Sequence, residues 1–121
     1  MKIAITAVEP ALDSELELRF GRAPYFILVD PETMEYEALE NPAVSAGGGA
    51  GIQAAQTVID HHAEAVISGN IGPNAMRVLQ SAGVRVYLGK TAKAQDLIED
   101  YKQDKLTMID EANRPSHFGM K

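Results

Sequence analysis

The residues in this chain that could do chemistry fall in three short segments. Arg19-Phe20-Gly21-Arg22 sets two guanidinium groups around a glycine. Ala46-Gly47-Gly48-Gly49-Ala50-Gly51 and Ser68-Gly69-Asn70-Ile71-Gly72-Pro73-Asn74 are glycine-rich runs. Each run opens a stretch of helical period: Ile52, Ala55, Val58 and Ile59 after the first, Ala75, Val78, Leu79 and Ala82 after the second. The first turn of a helix leaves backbone N–H groups unpaired at the positive end of its dipole, and a glycine entry lets an anion approach them. Glycines of this kind can also serve tight turns alone. Two such entries together with two arginines predict an anion-binding rim built from Arg19, Phe20, Gly21, Arg22, Gly47, Gly48, Gly49, Gly51, Gly69, Asn70, Gly72 and Asn74.

Other motifs carry less. Gly49-x-Gly51-x-x-Ala54 fits a relaxed dinucleotide fingerprint, but it follows Asn41-Pro42-Ala-Val-Ser-Ala rather than a core strand. Gly89-Lys90-Thr91 ends like a phosphate-binding P-loop, yet the required earlier glycine falls on Val84. His61 and His62 are adjacent at a helix end and point apart, so they make a poor metal pair; the negative end of the helix dipole accounts for them. His117 lies near the end of the chain beside Met120. Glu35, Glu37 and Glu40 alternate with apolar residues and read as the wet face and end of a strand. No nucleophile–histidine–acid arrangement is present, and no catalytic residue is expected.

The elements that must hold these segments are legible from hydrophobic period. Residues 2–8, KIAITAV, form a strand that is apolar on both faces and therefore interior to a sheet. A long polar loop leads to a second strand, Tyr25 to Asp30, which Pro31 ends; residues 34–40 alternate with period two and complete a hairpin. A helix over 50–61, a strand at 65–68, a helix from Pro73 to Ala82, a strand at 84–88 and a third helix capped by Thr91 follow. This β-β-β-α-β-α-β-α order predicts one mixed five-stranded α/β sheet with flanking helices. Ligands of open α/β sheets collect beyond the carboxyl ends of the parallel strands, where all three glycine-bearing segments should emerge. The domain is expected to be complete by residue 109, with 110–121 a flexible tail.

Composition bounds the partners. Eleven Lys and Arg against seventeen Asp and Glu give a net charge of -6, which disfavours nucleic acid. The absence of cysteine excludes disulfides, thiolate metal sites and cysteine-held iron–sulfur clusters. No apolar run approaches the roughly 20 residues of a membrane span, and Glu9 interrupts the short N-terminal apolar stretch. A cytoplasmic monomer with no nucleic-acid or membrane partner is the expectation. A ribonuclease-like nuclease would need carboxylates on its central strand to hold two metal ions, and residues 2–8 carry none.

Arg19-Phe-Gly-Arg-Ala-Pro-Tyr-Phe26, Gly49-Ala-Gly-Ile-Gln-Ala-Ala55, Val66-Ile-Ser-Gly-Asn-Ile-Gly-Pro-Asn-Ala75 and Ala82-Gly-Val-Arg-Val-Tyr87 together resemble the dinitrogenase iron–molybdenum cofactor biosynthesis family, of NifX and NifB C-terminal type. The resemblance spans roughly residues 2–106. It implies a ribonuclease H-like α/β fold and a non-catalytic carrier of iron–sulfur or iron–molybdenum cofactor precursors, bound transiently and passed between cluster-assembly proteins. Many members have histidine before Phe-Gly; this chain has Arg19, which stays protonated and cannot coordinate a metal. The arginines would then act on cluster charge, and the metal ligands stay unknown. The alternative expectation is a binding or regulatory module for a small phosphate-bearing metabolite.

Overall fold

The computed structural model describes residues 2–43, 49–111 and 114–115. Strands β1 (Ile3–Ala7), β2 (Tyr25–Val29) and β3 (Tyr36–Glu40) precede helix α1 (Ala50–Asp60), strand β4 (Ala65–Ser68), helix α2 (Pro73–Ser81), strand β5 (Arg85–Leu88), helix α3 (Ala94–Lys102) and strands β6 (Thr107–Glu111) and β7 (Arg114–Pro115). They form one mixed sheet in the order β3-β2-β1-β4-β5-β6-β7. β1, β4 and β5 run parallel, and the hairpin partners β2 and β3 run antiparallel on one side.

The alternation of side chains along β1 explains the layers. Ile3, Ile5 and Ala7 face a core with Ile27, Val29, Ile67 and the α3 residues Ala94, Leu97 and Ile98. Ala4 faces the other core, with Phe20, Phe26, Val66, Val86 and residues of α1 and α2. A strand buried on both sides has to lie inside the sheet, and β1 does, between β2 and β4.

The structure differs from the expectation in particular places. The sheet has six full strands and a two-residue seventh, not five, because β6 covers the edge that β5 would otherwise leave unpaired, registering Val86 with Ile109 and Leu88 with Thr107. Strand β6 runs to Glu111, past the boundary at 109. The hairpin strand starts at Tyr36 rather than residue 34, since Met34 closes the turn with a left-handed φ of 64° and its N–H on the Asp30 carbonyl. Helix α3 starts after Lys93, not at a Thr91 cap: the Ala94 and Gln95 N–H groups donate to the Ser14 and Leu12 carbonyls at 2.8 and 2.9 Å, so the β1–β2 loop caps this helix. Ile52 is off the buried stripe of α1 and 43% exposed; Ala50, Ala54, Ala55 and Val58 are buried instead, small residues that let α1 lie close to α2.

Candidate functional site: a glycine-lined rim

The parallel strands end at Ala7, Ser68 and Leu88, and the predicted segments leave the sheet from this edge. The loop after β1 is tied down along its length. Thr6 and Glu17 clamp each other: the Glu17 N–H donates to the Thr6 carbonyl at 3.0 Å, and the Thr6 hydroxyl donates to the Glu17 carbonyl at 2.7 Å. The Thr6 hydroxyl also lies 2.9 Å from that of Ser68, both fully buried beneath the loop. Farther along, Asn70 bridges to the same loop. Its N–H donates to the Leu18 carbonyl at 2.5 Å, and the Phe20 N–H donates to the Asn70 carbonyl at 3.0 Å.

Close backbone contact explains two of the glycines. A Cβ on Gly69 would lie 2.6 Å from Leu18 Cδ2 and 2.8 Å from the Leu18 carbonyl oxygen. A Cβ on Gly21 would lie 3.0 Å from the Gly51 nitrogen, so the arginine-bearing arm rests on the first turn of α1. Gly51 in turn faces Ala75: a Cβ there would stand 3.2 Å from that of Ala75, in the first turn of α2. The arm, the start of α1 and the start of α2 therefore meet at one place. Gly21, Gly51 and Ala75 make this meeting; Phe20 and Asn70 are joined by their backbone bond, Gly69 lies against Leu18, Gly49 and Gly72 each stand just before a helix, and Arg19 and Asn74 adjoin these residues in the chain. Phe20 lies beneath it, 1% exposed and tilted against Phe26 with ring centroids 5.6 Å apart. Arg22 is exposed on the same arm. Gly47 and Gly48 lie outside the described residues, as do His117 and Met120.

Both helix entries lack a side-chain cap. Gly49 precedes α1 with a left-handed φ of 76°, Gly72 precedes α2 in extended conformation, and a Cβ at either would meet nothing within 4 Å. The contrast with α3, whose first N–H groups are taken by loop carbonyls, is direct. An open helix start on glycine is suited to an anion.

The charges need one correction. Arg19 does not simply oppose the net negative charge: its Nε donates to the Glu17 carboxylate at 3.1 Å, and its backbone N–H reaches the same carboxylate at 3.0 Å. The guanidinium holds the Glu17 carboxyl below its ordinary value, and Glu17 raises that of Arg19. A cation that the sequence reading missed stands nearby. Arg77 on α2 donates to Asn74 Oδ1 at 3.0 Å, which brings it back over the helix start. The i, i+3 spacing of Asn74 and Arg77 on a helix was the available signal.

A buried asparagine was missed as well. Asn41 is 2% exposed; its Nδ2 donates to the Ala23 carbonyl at 2.9 Å and more weakly to the Gly21 carbonyl at 3.4 Å, and its Oδ1 accepts the Ala43 N–H at 2.9 Å. The histidines are elsewhere in use: His61 Nδ1 lies 2.9 Å from the Thr57 carbonyl, and His62 follows with a left-handed φ of 65°. A cavity of about 370 Å³ beside them is lined by Glu40, Asn41, Asp60 and His61 among others, and its carboxylates make it unsuited to an anion. Among the described residues no group of three or more His, Cys, Asp or Glu could hold a metal ion. No described helix is long and apolar enough to cross a membrane.

Comparison with known proteins agrees with this architecture. The family model for dinitrogenase iron–molybdenum cofactor proteins matches residues 1–104. The chain is 32% identical over 109 residues to an uncharacterised protein of Methanocaldococcus jannaschii, covering 88% of this chain and 89% of the relative. The apo form of the orange protein from Desulfovibrio gigas superposes with a TM-score of 0.90 at 33% identity, over 93% of this chain and 96% of that one. A NifB-type protein from Thermotoga, solved by NMR, superposes at 0.81 with 32% identity, over 93% and 97% of the two chains. The chain belongs to the dinitrogenase iron–molybdenum cofactor family.

Proposed function

We propose that the protein is a non-catalytic carrier that holds an anionic iron–sulfur or iron–molybdenum metallocluster, or a precursor of one, at the glycine-lined rim. It would take this cargo from one cluster-assembly protein and yield it to another. Family membership supports the cargo class. The likeness to an orange protein that has an apo form supports a loaded state. The observation that carries the site is the meeting of two helix starts without side-chain caps, joined where Gly51 faces Ala75, beside the arm of Arg19 to Arg22.

The donor set decides the manner of binding. The rim offers backbone N–H groups and guanidinium groups, and neither ligates a metal. Such groups donate to the sulfide or oxo surface of an anionic cluster and offset its charge. Charge-assisted hydrogen bonds of this kind contribute about 1.5–3 kcal/mol each. The binding they give is reversible, which suits a carrier. The same donors suit the phosphate of a small metabolite, and helix starts on glycine that offer N–H groups favour that second reading.

Anaerobic reconstitution with ferrous iron, sulfide and molybdate separates the readings. Metal stoichiometry and visible absorption are measured after gel filtration. Retained colour and metal, reduced in an Arg19→Ala/Arg22→Ala double variant and unchanged in His61→Ala/His62→Ala, is the expected result. No retained metal, with saturable binding of inorganic phosphate that the arginine variant weakens, would replace the carrier reading by the metabolite one. Loss in the histidine variant alone would move the site to direct metal ligation away from the rim.

A further inference from the structure

We infer that Asn41 is a positioning residue of the rim: its side-chain amide fixes the arginine arm against the start of α1, and so sets the space into which an anion fits. The part of this inference that concerns the anion rests on the function proposed above.

The position is one where an apolar side chain would serve if packing were all that mattered. Asn41 follows β3 directly and is 2% exposed, next to Ala43 and Ala23, which are fully buried. Instead three of its polar groups make four hydrogen bonds to the backbone. Its own N–H donates to the Pro24 carbonyl at 3.0 Å. Its Nδ2 serves the carbonyls of Ala23 and Gly21, and its Oδ1 serves the N–H of Ala43. The partners fix which end of the amide is which, since two carbonyls need a donor and an N–H needs an acceptor. No side chain of the same shape offers both.

The consequence lies in what these partners belong to. Gly21 and Ala23 are in the arm that carries Arg22, and Gly21 is the residue in backbone contact with Gly51 of α1. Ala43 lies three residues after the end of β3. One rigid planar group thus ties the arm, whose Gly21 rests on the start of α1, to the chain just after β3. Without its donors, the Gly21 and Ala23 carbonyls are left without this partner inside the protein, and a buried carbonyl will move towards water to recover one. The arm then shifts on α1, and the spacing between the guanidinium groups and the open N–H groups shifts with it.

Asn41→Asp tests this cleanly, because the carboxylate keeps an acceptor for Ala43 and loses the donors to the arm. Hydrogen exchange by NMR is measured on the unloaded protein, and loading is measured with ferrous iron, sulfide and molybdate. Ile98→Val, in the core under α3, serves as the control for a general loss of stability. In Asn41→Asp the amides of Phe20 and residue 41 should exchange at least tenfold faster while that of Ala43 stays protected, and loading should fall at least fivefold. Ile98→Val should show neither change. Unaltered arm amides, a uniform acceleration of all amides, or a loosened arm with wild-type loading would each overturn the inference. If the wild-type chain does not load, the carrier reading fails and the exchange pattern still decides whether Asn41 positions the arm. If Asn41→Asp does not fold, the wild-type side-chain amide decides. Its protons should exchange at the rate of the Phe20 amide and at least tenfold slower than those of exposed Asn70, and exchange as fast as Asn70 would sink the inference.

Discussion

Replacing Gly69 by alanine tests the construction of the rim most directly. The added methyl would lie 2.6 Å from Leu18 Cδ2, 2.8 Å from the Leu18 carbonyl oxygen and 2.9 Å from Leu18 Cα. The first of these atoms ends a flexible side chain and can turn away. The other two are backbone and can move only with the loop. That movement strains both hydrogen bonds of the bridge, from the Asn70 N–H to the Leu18 carbonyl and from the Phe20 N–H to the Asn70 carbonyl. Overpacking costs about 1–3 kcal/mol, and loss of one or both bonds adds roughly 0.5–1.5 kcal/mol each. A total of about 1.5–6 kcal/mol follows, a drop in Tm on the order of 10 °C for a domain this size. Gly72→Ala is the matched control, with extended backbone and no atom within 4 Å of the new Cβ. It should change stability by under about 1 kcal/mol, because the chain-entropy gain of alanine is offset by its poorer fit to the N-cap. Urea unfolding of the three proteins reads the comparison. Equal midpoints for Gly69→Ala and Gly72→Ala would refute the claim that backbone contact at Leu18 builds this edge.

Three further outcomes are expected. Glu17→Gln releases Arg19 and should tighten anion binding at the rim, as read by titration of inorganic phosphate at low salt, where surface charges are least screened. The Glu17 carboxyl is held below its unfolded value, so its pairing stabilises the fold above the ordinary carboxylate range near about 4.3 and that contribution is lost as pH falls through the lower folded value; the stability gap between wild type and Glu17→Gln should therefore shrink in acid. Ile52→Ser should leave stability within about 0.5 kcal/mol, as for an exposed position, whereas Leu79→Ala, fully buried in the core under α2, should lose about 2–5 kcal/mol. Arg77→Ala should weaken anion binding in the same titration while the unfolding midpoint stays near wild type, since Arg77 touches Asn74 on the surface of α2.

Period and punctuation carried much of this fold. The two-faced apolar run of β1, Pro73 at the start of α2 and Gly83 past its end are local signals, and local signals survive in a sequence. The features that escaped are those made by distant residues. Strand β6 has five residues, of which only Met108 and Ile109 are apolar, and it is specified by the open edge of β5. The start of α3 is set by carbonyls from residues 12 and 14 rather than by its own neighbours. Ile52 has the right spacing for the core, but the alanines and the glycine that bring α1 close to α2 turn it outward. At the candidate site, Gly21, Gly51 and Gly69 sit at close approaches that the sequence did not specify, while Gly49 and Gly72 stand in open space. The pairing of Arg19 with Glu17 two residues earlier was visible in the chain, yet it could be weighed only once the loop placed both on one surface. Asn41 gave no signal, because an asparagine before proline reads as a turn.

The loop from β1 to β2 is fastened at both ends. Near its start, Ser14 Oγ accepts the Val8 and Glu9 N–H groups at 3.1 and 2.9 Å, and the Ser14 and Leu12 carbonyls grip α3 on one side of the sheet. Near its end, Gly21 rests on α1 on the other side, and Asn41 holds the Ala23 carbonyl. Though irregular in outline, it is a girth strap passed over the end of the sheet and buckled to both helical layers. A strap does not swing like a lid. Opening it would undo the bridge to Asn70, the clamp at Thr6 and the start of α3 in one event, at a cost comparable with unfolding much of the domain. For the cargo proposed above, this strap is therefore a fixed wall, and release does not wait on its opening.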